Sequence, residues 1–245
     1  MRDVGYTTAV QSEAYEQGLW GAFNVIGFQG DQYFAGYIQG VDEATGSNIF
    51  YAESTDKNSF IREQLEKILM NSKDEIIIKR DMPLKLAEGY ELNIKYIDDN
   101  GMYLELSKDG AIVDSKVISP SKPGATELDK TYFYTNPKVG DQSKLVTIGV
   151  HFKNALKIQD KTVAIVDGIW QISDTFAEVN ADTQYGKMTI TRMDSNDGIT
   201  MNNKDEPITL TKNEDTMLMP GVNLKTANND TLRFYIYIVE FCQCG

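Results

Sequence analysis

The chain has 245 residues, 41% of them apolar, enough for one large or two ordinary packed domains and too many for wholesale disorder. Lys and Arg number 24 against 36 Asp and Glu, and the resulting net charge of -12 repels nucleic acid and anionic lipid, because phosphate binding needs a concentrated positive field. One histidine, His151, argues against a zinc enzyme, and two cysteines at the extreme C-terminus, Cys242 and Cys244, exclude a disulfide framework.

Met1-Arg2-Asp3-Val4 leads into polar residues rather than the apolar segment of a signal peptide. No apolar run approaches the ~20 residues of a membrane span. A cytosolic protein and an excised piece of a secreted one are both compatible with this. Phe23–Phe28 and Tyr33–Ile38 read as two strands joined through Gly30-Asp31-Gln32. Over residues 59–70, Phe60, Ile61, Leu65, Ile68 and Leu69 recur at helical spacing behind a capping Ser59, which predicts one short helix; a turn followed by a strand from Leu65 to Met70 is the alternative. Tyr90, Leu92, Ile94 and Tyr96 alternate with polar residues, as do Met102, Leu104 and Leu106, and Ile112 to Ile118 returns after Lys108-Asp109-Gly110. With the Asp98-Asp99-Asn100-Gly101 turn, these make a three-stranded meander.

Tyr132-Phe133-Tyr134 is a further strand, followed by one with Val146, Ile148, Val150 and Phe152 on a single face, and by Thr162 to Ile172 with a bulge at Gly168 and Trp170 in the core. Residues 173–184 are polar and suit a linker. Short strands follow at Met188–Ile190, Ile208–Leu210 and Met217–Met219, then a long one from Leu232 to Phe241. The predicted fold is all-β: two linked β-sandwich domains, 1–174 and 175–245.

No catalytic centre is legible. His151 alternates with Val150 and Phe152, which predicts a surface or groove position without catalytic duty. Gly-x-Ser-x-Gly is absent, and the paired carboxylates Asp98-Asp99, Asp205-Glu206 and Glu214-Asp215 sit beside turns, where carboxylates act as solvated caps. Asp194-Ser195-Asn196-Asp197-Gly198 and Asn203-Lys204-Asp205-Glu206 offer hard oxygen ligands for a weak structural calcium ion, with a hairpin turn as the plainer reading. No catalytic, cofactor or metal residue is therefore assigned. Asn229-Asp230-Thr231 is a glycosylation sequon. Tyr235 and Tyr237 project opposite Phe234 and Ile236; they are expected in the core, and in an open groove they would instead suit sugar stacking.

Several blocks, in this order, carry a resemblance: Trp20–Tyr37 (WGAFNVIGFQGDQYFAGY), Leu86–Lys95 (LAEGYELNIK), Leu104–Gly110 (LELSKDG), His151–Ala155 (HFKNA), Asp167–Asp174 (DGIWQISD), Met201–Asn213 (MNNKDEPITLTKN) and Leu232–Tyr237 (LRFYIY). Together they resemble the S-layer duplication domain of Methanosarcina-type archaea. The resemblance implies two linked β-sandwiches and a structural role in a paracrystalline, glycosylated coat outside the archaeal membrane, with self-association and no catalytic residues. Family members carry a signal peptide, two tandem repeats and a membrane anchor. Here one repeat is seen, the stretch before Trp20 is short, and the Cys-x-Cys ending is foreign to the pattern. The expectation is thus a fragment or shortened paralogue, reaching a membrane only through an anchor that this sequence lacks. The alternative is a cell-surface adhesin or carbohydrate-binding module.

Overall fold

The computed structural model describes residues 2–39, 48–54, 58–59, 62–80, 82–98, 101–137, 139, 145–158, 161–194 and 197–239. The strands in chain order are β1 (Gly5–Thr8), β2 (Gln11–Ala14), β3 (Ala22–Phe28), β4 (Asp31–Tyr37), β5 (Gln64–Ser72), β6 (Ile76–Lys79), β7 (Leu84–Lys85), β8 (Tyr90–Asp98), β9 (Gly101–Lys108) and β10 (Ala111–Ile118). They continue with β11 (Thr131–Thr135), β12 (Val146–Ile158), β13 (Lys161–Glu178), β14 (Gln184–Tyr185), β15 (Met188–Asp194), β16 (Gly198–Asn202), β17 (Asp215–Met219), β18 (Val222–Thr226) and β19 (Phe234–Ile238). Helices are confined to α1 (Ile49–Glu53), α2 (Glu127–Lys130) and a 3-10 turn at Gly18–Trp20 among the described residues. The all-β prediction holds.

An eight-stranded antiparallel sheet is the spine, in order β11-β12-β13-β5-β4-β3-β2, with β6 following β5 along the same flank of β13. The predicted meander forms a second sheet, β10-β9-β8-β7. Its alternation is explained by packing: Tyr90, Leu92, Ile94, Met102, Leu104 and Leu106 are buried against Tyr132, Ile148, Val150, Phe152 and Val166 of the spine. At about 1.5–3 kcal/mol for each fully buried large apolar side chain, this face alone holds the two sheets together. The turn between β8 and β9 pairs Asp98 with Gly101; Asp99 and Asn100 lie outside the described residues.

A second sandwich packs β3, β4 and β5, through Ile26, Phe28, Tyr33, Ala35 and Leu65, against two small sheets, β1-β16-β15-β14 and β17-β18-β19. Between the two sandwiches lies an aromatic cluster of Tyr15, Trp20, Phe23, Phe34, Phe50, Phe133 and Trp170. It draws residues from both ends of the spine, so the sheet coils over it; the Tyr37 hydroxyl donates to the Val146 carbonyl across the coil at 2.5 Å. Phe50 of α1 plugs this core, and Gly149 is glycine because a Cβ there would lie 2.4 Å from the Phe50 ring.

Two expectations are corrected. The helix expected over 59–70 is not there among the described residues: Phe60 and Ile61 lie outside them, and from Gln64 onward the chain is β5, the alternative reading. The helical-looking spacing has a cause in register. Met70 pairs with Gln171 and Ile68 with Ile172, so Leu69 is an extra residue, and a bulge of this kind resets the period-two alternation. Leu65, Ile68 and Met70 consequently face three different cores. The polar stretch expected as a linker from residue 173 is still β13 as far as Glu178, with Phe176, Ala177 and Glu178 paired to Glu66, Leu65 and Gln64. Pairing to β5, not apolar content, keeps it a strand. The predicted division at 174/175 thus falls inside β13, and β1 pairs with β16, so the first residues of the chain join the sheet of its last quarter.

Candidate functional site

The one histidine is where sequence reading looked for chemistry. It sits at 3% exposure, not on an open surface as expected. β12 is covered on both faces: Val150 and Phe152 face the meander core, while Gly149 meets Phe50 of the aromatic cluster and Gln17 packs beside His151. One-sided burial was the wrong premise.

Local structure delivers a carboxylate to each side of the ring. In the β12–β13 register His151 is opposite Gly168 and Phe152 opposite Val166, which leaves Asp167 as the extra residue of a bulge. Bulges re-aim side chains, and this one turns Asp167 Oδ1 onto His151 Nδ1 in a short contact. On the other side Nε2 lies 2.8 Å from Glu127 Oε2. Glu127 opens α2, which a reciprocal capping box fixes: Thr126 N–H donates to Asp129 Oδ2 (2.9 Å) and Asp129 N–H to Thr126 Oγ1 (3.4 Å). Hydrogen bonds donated to Asp129 Oδ2 by the Thr126 N–H and then the Thr126 hydroxyl hold its carboxyl below its usual pKa. Gln17 Nε2 donates to the Asp167 carbonyl at 3.2 Å. Thr131 Oγ1 donates to the Glu127 carbonyl (2.7 Å) and accepts from Trp20 Nε1 (3.2 Å).

Both ring nitrogens face carboxylate oxygens, so an N–H on either side of the ring has an acceptor. A general base needs one nitrogen free for a substrate, and a nucleophile needs a hydroxyl within reach. Here both nitrogens are occupied and the nearby Thr131 hydroxyl is committed to Trp20 and Glu127. The geometry is that of a bridge that pins α2, the Asp167 bulge and the Gln17 loop to one another.

A second polar cluster lies where the meander meets β13. The Asp174 carboxylate accepts from Tyr90 Oη (2.9 Å), Asn136 Nδ2 (2.6 Å) and Lys108 Nζ. Burial, and then the hydrogen bond to Asp174, push the Tyr90 phenol far up; the hydrogen bond to Asp174 raises the Lys108 ammonium. Gln171 clamps the backbone of Ala87 from both ends, at 2.8 and 3.0 Å. On β5 the fully buried Glu66 accepts from Arg62 and Ser59, each at 2.8 Å; burial pushes its carboxyl up and Arg62 opposes that shift. Sequence reading missed all three clusters: a register shift places Asp167, residues far apart in the chain meet at Asp174, and Ser59, Arg62 and Glu66 lie in the stretch read as a helix.

Of the first calcium candidate, Ser195 and Asn196 lie outside the described residues, and several described side chains of both candidates make contacts within the protein. Asp194 Oδ1 accepts from Asp197 N–H (3.2 Å), and Asp197 pairs with Arg192 at 2.6 Å. Gly198 has φ +91 and a Cβ there would lie 2.0 Å from the Thr8 carbonyl, so it is glycine to let β1 approach. Asn203 is fully buried; its Oδ1 accepts from Val4 N–H (2.6 Å) and its Nδ2 donates to Arg2 and Glu206 carbonyls, tying down the N-terminal strand. Among the described residues no group of three or more His, Cys, Asp or Glu is arranged to hold a metal ion. Asn229 is exposed in the β18–β19 connection, where its Oδ1 accepts from Thr231 N–H at 2.9 Å. Cys242 and Cys244 lie outside the described residues. Tyr235 is 55% exposed, against the expectation of core, while the Tyr237 hydroxyl is engaged with Asp215 (2.6 Å) and Asn223 (3.2 Å). A groove of about 870 Å³ runs between Gln29–Asp31, Glu88, Phe176 and Pro220–Gly221, and takes in neither ring. Among the described residues no helix is long and apolar enough to cross a membrane.

The family model described as "S-layer protein" matches residues 1–228. The chain is similar to the Major S-layer protein of Methanosarcina mazei, 26% identical over 238 residues, covering 94% of this chain and 32% of that protein. It is equally similar to the Major S-layer proteins of Methanosarcina acetivorans and Methanosarcina barkeri, each 26% identical over 239 residues with the same coverage. The chain thus spans about a third of the length of the curated relatives it matches. With the family model extending over all but the last strand, the chain belongs to the S-layer protein family.

Proposed function

We propose that this chain is a structural, lattice-forming component of a cell-surface layer, working by shape and charge outside the cell. The observation that carries the reading is the family match over residues 1–228, on a body whose one histidine is held between two carboxylates. The physical basis is stiffness. Two sandwiches share one coiled sheet, and their interiors are packed at crystal-like density, so a load applied at one contact is transmitted rather than absorbed. Contacts between copies that do not close into a ring extend into a sheet. The net charge of -12 makes the rims of any pores in such a sheet favour cations over anions. In this reading Asn229 offers an exposed glycan attachment point, and calcium acts at most as a weak structural ion.

The location is tested by immunogold labelling of thin-sectioned cells that produce the protein. The expected result is label confined to the outermost layer of the envelope. Label distributed through the cytoplasm would overturn the reading.

A further inference from the structure

The uncovered part of the molecule is β19. Leu232, Phe234, Ile236 and Ile238 are 46%, 55%, 53% and 57% exposed. Phe234, Ile236 and Ile238 pair with Thr226, Leu224 and Val222, which are all buried. Cross-strand partners share a face, so these three side chains lie on the inward face of the β17-β18-β19 sheet, beyond the rim of its core.

The backbone is open at the same residues. Val239 N–H donates to Gly221 O, and Ala227 N–H donates to Arg233 O. Residues 233 and 239 therefore turn their polar groups toward β18. By the period of two, 235 and 237 do likewise, while 234, 236 and 238 turn theirs outward. β19 is the last strand of its sheet among the described residues, so nothing described meets that edge.

Another exposed apolar edge, β10, is protected. It carries Asp114 and Lys116 and is interrupted by a bulge between Ile112 and Asp114. Charges and bulges are the usual guards against edge addition. The stretch from Phe234 to Val239 has neither, on a chain whose net charge is -12. Two copies meeting along this strip bring no like charge together.

We propose that β19 is the edge at which this chain adds to a second copy of itself, antiparallel, about a twofold axis centred on Ile236. The inference rests on the lattice reading and names its partner and contact. The register is self-consistent. A twofold at Ile236 sets Ile236 opposite itself, Phe234 opposite Ile238 and Tyr235 opposite Tyr237. The residues with outward N–H and C=O groups then pair only with each other, and each aromatic ring meets a ring or a β-branched side chain on its own face. The side-chain surface covered is roughly 300–500 Å² per copy, below the ~800 Å² of a stable interface. The contact is therefore weak for two free chains and takes its strength from repetition in an array.

Disulfide trapping tests it. In a Cys242→Ser/Cys244→Ser background, Ile236→Cys places two thiols opposite each other at bonding range, and mild oxidation should give about tenfold more covalent dimer than Ile112→Cys on the β10 edge. Ile236→Lys, at a half-exposed position, should keep the melting transition of the parent and lose assembly. Equal trapping at 236 and 112 overturns the pairing. So does protection of the β19 amides from hydrogen exchange in a sample that shows no trapping, which would put some other segment over the edge. Ordered arrays formed by Ile236→Lys would also overturn the pairing, while leaving the cell-surface reading in place. Absence of both arrays and trapping in the parent would remove both.

Discussion

His151→Ala is expected to cost about 3 kcal/mol of folding stability, near the lower end of what breaking a buried ion pair costs. The reason is not the loss of imidazole packing alone. Removing the ring leaves the Asp167 and Glu127 carboxylates facing one another across a hole, although Glu127 keeps Lys130 at 3.0 Å from its Oε1. Their side chains keep 20% and 24% exposure, so water reaches them in part and the penalty stays below the upper end of that range. For a chain of this length the loss corresponds to a fall in Tm of roughly 6–12 °C. Lys153→Ala is the control. It removes an ion pair to Glu75 two residues along the same strand, with both partners more than half exposed, and should leave the unfolding transition close to that of the parent. If His151→Ala costs no more than Lys153→Ala in urea or thermal unfolding, the cluster is not a structural bridge and His151 becomes available as a chemical group.

Cutting the chain at 174/175 is expected to leave residues 175–245 unfolded. The fragment would carry β16 without β1, its hydrogen-bonded neighbour, and only the last residues of β13. It would also lose Ile26, Phe28, Tyr33, Ala35 and Leu65, the half of its core that the spine supplies. A piece of about 70 residues without disulfides is marginal even with an intact core. Circular dichroism should show no cooperative melting for 175–245 alone, and recovery of sheet signal when it is mixed with 1–174. A sharp thermal transition from the isolated fragment would instead establish it as an independent domain.

What was legible in the sequence follows from how many sides of a strand are covered. β8 and β9 have one face on a core and one toward water, so Tyr90, Leu92 and Ile94 alternate cleanly with their polar neighbours and the meander could be read directly. β12 is covered on both faces, and the simple alternation that put His151 outside failed there. β5 crosses three cores with a bulge at Leu69, so its apolar residues fall at helical spacing. β1 and β2 are short and polar, and their strand character comes from partners at the far end of the chain or across a hairpin. The candidate site was less legible than the fold. Asp167 and Glu127 approach His151 through a bulge and a capped turn, neither of which alters residue periodicity in a readable way. β19 misled in the opposite direction: a run of aromatic and β-branched residues looks like core whether or not anything covers it.

The central claim is that the stiff, sheet-built exterior, rather than any pocket, is the working part of this protein. Negative-stain electron microscopy of the purified chain at high concentration, with and without calcium, addresses it directly. The account predicts two-dimensional arrays whose Fourier transforms show discrete spots. Particles that stay separate or clump without order under both conditions would contradict it.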